Sequence, residues 1–278
     1  MSFYEGSLSV KEKNKETHRK AFSWFGILFY LVFLQIGCGN SNSTTSYSQE
    51  TLSKSCSISS DQYGSFMVRM DSKETLISVD STFLPEEQKM IQQAVQEWNL
   101  FGQRSGLGTF FRIEVIAIPQ KIRQSDPHAC NNRWNQGDGS RTFFILKENS
   151  MDHWKSINLT NQIPAATMRC EFDHILDHQF IWINPPVIGE SGLYPVIVHE
   201  LGHALGLNHS CLEKEEFQND YRSCVGLPLN HPYRTAVMYP WVQRTNKFSN
   251  FLNLGLGQLQ TLNDNDQLRA KCLYSVTL

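Results

Sequence analysis

Residues 199–209 read His-Glu-Leu-Gly-His-Ala-Leu-Gly-Leu-Asn-His, so three imidazoles and a carboxylate crowd into a short stretch. On an α-helix, positions four apart share a face, which lets His199 and His203 converge on one ion. Glu200 is rotated about 100° from His199 around the same helix, beside the ion rather than on it. A carboxylate there can serve as general base toward a water at an open metal position. Gly206 lies three residues past His203, where helices commonly end in a left-handed residue that glycine adopts cheaply. A turn at Gly206 would return His209 as a third ligand. Three nitrogens and one open position are the catalytic arrangement for zinc, whereas structural sites are closed by four protein ligands. The competing explanation is an amphipathic helix that carries histidines by accident. Given this composition, chance occurrence of these five residues at these spacings is on the order of 10⁻⁵.

The elements around the motif can hold it. Pro195 suits a helix start, and Val196, Ile197, Val198, Leu201 and Leu205 can pack the faces that the histidines leave. Upstream, Thr75 to Val79 alternates weakly as a strand. From Pro85 to Phe101, the apolar residues Met90, Ile91, Ala94, Val95 and Trp98 recur at helical spacing, with Glu86 and Glu87 in the first turn. Phe110 to Ile118, Thr142 to Leu146, Ala165 to Met168 and Phe180 to Asn184 read as further strands, the last stopped by Pro185-Pro186. A final helix is expected over Asp266 to Tyr274, capped by Asp264 or Asn265. Strands alternating with helices, then a helix-poor C-terminal part, give an α/β or α+β domain.

The motif H-E-x-x-H-x-x-G-x-x-H resembles the metzincin zinc signature, which is accompanied by a methionine turn beneath the metal. Ala236-Val237-Met238-Tyr239-Pro240 is similar to that turn, with Met238 as its methionine. Ser210 after the third histidine and the Met-Tyr-Pro order resemble the matrixin, or matrix-metalloprotease-like, branch. So do Asn265-Asp266 and Leu273-Tyr274 in the last helix. The resemblance implies a mixed, mostly parallel twisted sheet with an active-site helix and a C-terminal helix. It implies zinc on His199, His203 and His209, with Glu200 catalytic. Branches with a switchable tyrosine place it two residues after the methionine. Pro240 stands there in this chain, which leaves the proton work to Glu200. By the same analogy Trp241 and Val242 line a substrate pocket, with plain core packing as the equal alternative. The interval from His209 to Met238 is longer than in matrixins, and residues 211–235 read as an insertion at the cleft rim. No matrixin pro-segment with its inhibitory cysteine is recognisable, and a disulfide is the expected role of Cys56.

Composition narrows the rest. The 278 residues are 40% hydrophobic and 19% charged, with net charge −2. That is enough chain for a buried core and no electrostatic footprint for nucleic acid. Lys11, Lys13, Lys15, Arg19 and Lys20 precede an apolar stretch, 21–36, that is short for a membrane span and suits a signal segment. Gly37-Cys38 at its end resembles the lipobox of bacterial lipoproteins, although Gln35 stands where that box prefers leucine. The expected organisation is a signal peptide over 1–37, a lipidated Cys38 with a Ser/Thr/Asn-rich linker over 38–54, and a catalytic domain over 55–278. Secretion after cleavage and an uncleaved anchor are the other two readings. Cys38 in the lipid role leaves six of the seven cysteines as an even set for disulfides in an exported chain. Local spacing suggests Cys211–Cys224. Cys56–Cys272 would tie the domain's ends, and Cys130–Cys170 follows by elimination.

Asp173-His174 and Asp177-His178 offer ligand atoms for a structural calcium or second zinc, but no recognisable full set. A solvated loop is the expectation there, and His128, His153 and His231 are expected at the surface. The expected function is zinc-dependent hydrolysis of peptide bonds in a peptide or protein substrate. The protein would be a monomer held to the membrane by its lipid. An extended substrate would lie along an edge strand, for which 165–169 is the candidate. Two rivals are a surface binding or adhesion lipoprotein that keeps zinc without cleaving, and a zinc hydrolase acting on a non-peptide bond.

Overall fold

The computed structural model describes residues 62–63, 66–67, 69–70, 74–119, 122, 142–159, 162–172, 175–188, 192–211, 223–240 and 261–275. The signal segment, Cys38, the linker, Cys56, His128, Cys130, Asp173, His174, Trp241 and Val242 all lie outside the described residues.

The strands are β1 (Gln62–Tyr63), β2 (Phe66–Met67), β3 (Thr75–Asp80), β4 (Phe111–Ile116), β5 (Thr142–Lys147), β6 (Ala165–Phe172) and β7 (Ile175–Ile183). The helices are α1 (Pro85–Arg104), α2 (Met151–Ser156), α3 (Pro185–Ile188), α4 (Leu193–Leu205) and α5 (Asp264–Ser275). β1 and β2 pair antiparallel by themselves. The other five strands form one sheet in the order β4-β3-β5-β7-β6. Its pairings are parallel except β6 against β7. The content is therefore mixed α/β on a mostly parallel sheet, and β6 is an edge strand.

Side-chain alternation along the strands sorts the core into two layers. Phe143 and Ile145 of β5, with Ile181 and Ile183 of β7, join the larger cluster with Ile91, Ala94 and Trp98 of α1 and Val198 and Leu201 of α4. Phe144, Leu146, Phe180 and Trp182 face the other way, onto Trp154 of α2. The Phe180 and Trp182 rings there stack 5.7 Å apart. Each large apolar side chain so buried contributes about 1.5–3 kcal/mol relative to exposure. Between α1 and α4, the Trp98 indole N–H donates to the Val198 carbonyl at 2.9 Å. Helix α4 is thereby tied to α1 next to its first histidine.

Several expectations are corrected by tertiary contacts. Asp177 and His178 are not in a loop but in β7, because β6 and β7 extend into a long antiparallel hairpin. His153 is not a surface residue, since its ring packs 4.8 Å from that of Trp182. Cys272 is buried, and its expected partner Cys56 lies outside the described residues. Asn263, rather than Asp264 or Asn265, caps the last helix. Its side-chain oxygen accepts from the Asp266 N–H at 3.1 Å, and Asp266 accepts from the Asn263 N–H at 3.1 Å. This reciprocal pair satisfies two otherwise orphaned donors. Among the described residues no helix is long and apolar enough to cross a membrane.

Candidate metal centre

Helix α4 ends where the spacing predicts. Gly206 is left-handed at φ 107°. The Leu207 N–H donates to the Gly202 carbonyl at 3.0 Å and the Gly206 N–H to the His203 carbonyl at 2.9 Å, which closes the helix with a Schellman-type turn. The turned chain brings His209 back beside the helix. The metal-ligating atoms of His199, His203 and His209 lie within 4.8 Å of one another, close enough to hold one ion.

Two of the rings are oriented by backbone carbonyls. His199 Nδ1 is 2.6 Å from the Val237 oxygen, and His203 Nδ1 is 2.8 Å from the Leu207 oxygen. Carbonyls only accept, so both rings carry their proton on Nδ1 and keep an Nε2 lone pair. His203 Nε2 stands 3.3 Å from His209 Nε2. Two ligands about 2.0–2.1 Å from a tetrahedral metal ion are separated by about 3.3–3.4 Å, which is the spacing of this pair. Burial lowers the proton affinity of all three rings. His199 is brought down to about 4, with the Val237 carbonyl opposing. His203 and His209 fall well below the usual histidine range, because neighbouring histidines and the Arg169 charge add to burial, and Arg269 adds to it at His209. Neutral rings at physiological pH are what a metal requires of its ligands.

Glu200 is buried beside the histidines. Its Oε2 accepts from the Thr167 hydroxyl at 2.5 Å. Burial pushes the carboxyl up to about 7, against the Thr167 hydrogen bond, which favours the anion. Thr167 belongs to β6, so the edge strand touches the carboxylate directly.

Met238 is fully buried and lies against Gly202, a floor to that face of α4. A Cβ built on Gly202 would run into the Met238 sulfur and come within 3.2 Å of Trp98. A side chain at that point of the helix would therefore force the Met238 side chain to shift. Asp266 fixes the floor in turn. Its carboxylate accepts from the Val237 N–H at 2.8 Å and the Met238 N–H at 3.1 Å. The same side chain thus caps α5 and holds the peptide whose carbonyl orients His199. Burial pushes the Asp266 carboxyl up to about 6, although those N–H donors, Arg269 and the Asn263 N–H all favour its anion.

The return segment is closed by the Cys211–Cys224 disulfide, as local spacing suggested, with Cα atoms 5.2 Å apart. Cys170 is also disulfide-bonded; its expected partner Cys130 lies outside the described residues.

No family model and no curated protein matches the chain. What the site can do therefore rests on its own atoms. Sequence reasoning brought together His199, Glu200, His203, His209 and Met238. It did not find Thr167 or the pair of arginines at Asn208, which arrive from β6 and α5.

Proposed function

We propose that the chain is a zinc-dependent endopeptidase of the metzincin type, in its matrixin-like branch, exported and tethered to the cell envelope through a lipidated Cys38. The observation that carries this reading is the convergence of three imidazoles, with ligand atoms within 4.8 Å of one another, on the helix whose Glu200 carboxylate is held by Thr167. His199, His203 and His209 would hold the ion. When bound, zinc supplies Lewis acidity and makes a water acidic enough to attack a carbonyl near neutral pH.

The chain's own residues do the rest. Glu200 takes the proton from the attacking water and passes it to the leaving amine. Thr167 holds one oxygen of that carboxylate at a fixed angle. Among the described residues β6 pairs with β7 alone, and an extended peptide laid along its other side would gain main-chain hydrogen bonds. Asp266 and Met238 keep the floor and the His199 ring in place.

The test is incubation of the protein with a mixed peptide library, with chelator and after zinc is restored. Internal cleavage that stops with chelator and returns with zinc is the expected result. Zinc binding without any cleavage would instead favour a surface binding lipoprotein, and cleavage indifferent to chelator would contradict the metal role.

A further inference from the structure

The three ligands are not supported alike. His199 and His203 each give an Nδ1 proton to a carbonyl. Among the described residues no hydrogen bond reaches His209 Nδ1, and His209 stands off the helix. Apart from ring contacts with His199 and His203, its support comes through the backbone on either side. On the far side, the Ser210 N–H donates to the Met238 carbonyl at 2.7 Å and the Ser210 hydroxyl to the Tyr233 carbonyl at 2.6 Å.

On the near side stands Asn208, with two guanidinium groups on it. Arg169 Nη2 of β6 donates to the Asn208 side-chain oxygen at 2.9 Å. Arg269 Nη2 of α5 donates to the Asn208 main-chain oxygen at 2.7 Å. Arg169 and Arg269 are only 7% and 1% exposed. Burying a guanidinium costs several kcal/mol unless its hydrogen bonds repay it. Both charges are also felt at the His209 ring, which disfavours another cation nearby. Attraction for the metal therefore does not explain them. Geometry does, because a guanidinium is a rigid planar donor that fixes the direction of what it binds.

We propose that Arg169 and Arg269 are positioning residues for the third metal ligand. By gripping Asn208 from the edge strand and from the last helix, they lock the peptide plane leading into His209 and set where its Nε2 stands. The inference rests on the metal-centre reading above. It assigns to the arginines the support that carbonyls give the other two histidines.

The experiment measures zinc affinity of the whole chain by competition with a chromophoric chelator, and the melting temperature of the metal-free form. Wild type is compared with Asn208→Ala, Arg169→Met, the double variant and Asn208→Asp. Either single substitution should raise the zinc dissociation constant on the order of 10–100-fold, the scale of lost outer-sphere support. The double variant should lose no more than either single one, because both remove one contact. Asn208→Asp keeps an acceptor for Arg169 and should stay near wild type. If Arg169→Met does not fold, the smaller Asn208→Ala change decides the matter. Wild-type zinc affinity in Asn208→Ala overturns the proposal, even where the melting temperature falls, since that describes a purely structural contact. Failure of the wild-type chain itself to bind one zinc would remove the metal centre and this inference with it.

Discussion

His199 and His203 stand on successive turns of one helix, each with its Nδ1 proton on a main-chain oxygen, whereas His209 stands on a returning stretch of chain with no such bond among the described residues. The helical pair inherits its spacing from the 5.4 Å helical pitch and needs only its rings turned. The third ligand must be carried to the site by a turn and then held by elements distant in sequence. The difference teaches where the centre is locally determined and where it depends on the whole fold. One side chain, Asp266, bears on both halves, because it holds the peptide that orients His199 and, through the Met238 N–H, the residue whose carbonyl receives Ser210.

The comparison can be broken at four places, in descending order of effect. Asp266→Ala leaves two buried backbone donors of the floor and the Asn263 cap unsatisfied, and should cost roughly 3–5 kcal/mol in denaturant unfolding. It should weaken zinc binding too; a loss of stability with zinc affinity intact would show that the floor does not position His199. Replacing Cys211 and Cys224 together by serine removes a cross-link over 13 residues, worth about 3 kcal/mol in the chain-entropy model. Its damage should reach the return segment while the orientation of His199 and His203 is kept. Proton NMR of the two Nδ1–H signals checks this, and loss of both signals would mean the halves are not separable. Gly206→Ala forces a left-handed alanine at the hinge between the halves and should cost about 1–2 kcal/mol. A variant as stable as wild type would show that the turn tolerates another shape. Thr167→Val should leave zinc stoichiometry unchanged and lower kcat about tenfold, the scale of one hydrogen bond to a charged group. Thr167→Ser should restore it, and an unchanged kcat in the valine variant would remove Thr167 from the machinery.

What could be read from the sequence follows the same division. Local rules suffice for His199, Glu200 and His203, for the stop at Gly206 and for the Cys211–Cys224 bridge, because each depends on residues a few positions apart. The apolar periodicity of α1 also marks its buried face, though the helix runs on to Arg104. Thr167, Arg169 and Arg269 gave no signal, since nothing local distinguishes a strand threonine, a strand arginine or a helix arginine that meets a partner 33, 39 or 61 positions away. His153 was misplaced for the same reason: only the folded sheet brings Trp182 against its ring. The last helix was located, yet its cap was not. Asp264, Asn265 and Asn263 are all good capping types, and the choice falls to Asn263 through its reciprocal bond with Asp266.

The central claim is that Glu200 moves the proton at a site whose ion is held by the three histidines. The most direct measurement is the zinc content and the peptide-cleavage rate of Glu200→Gln beside wild type. The account predicts one zinc per chain in both proteins and a rate at least about two orders of magnitude lower in the variant, the scale of general-base catalysis. Equal rates at equal zinc content would contradict it.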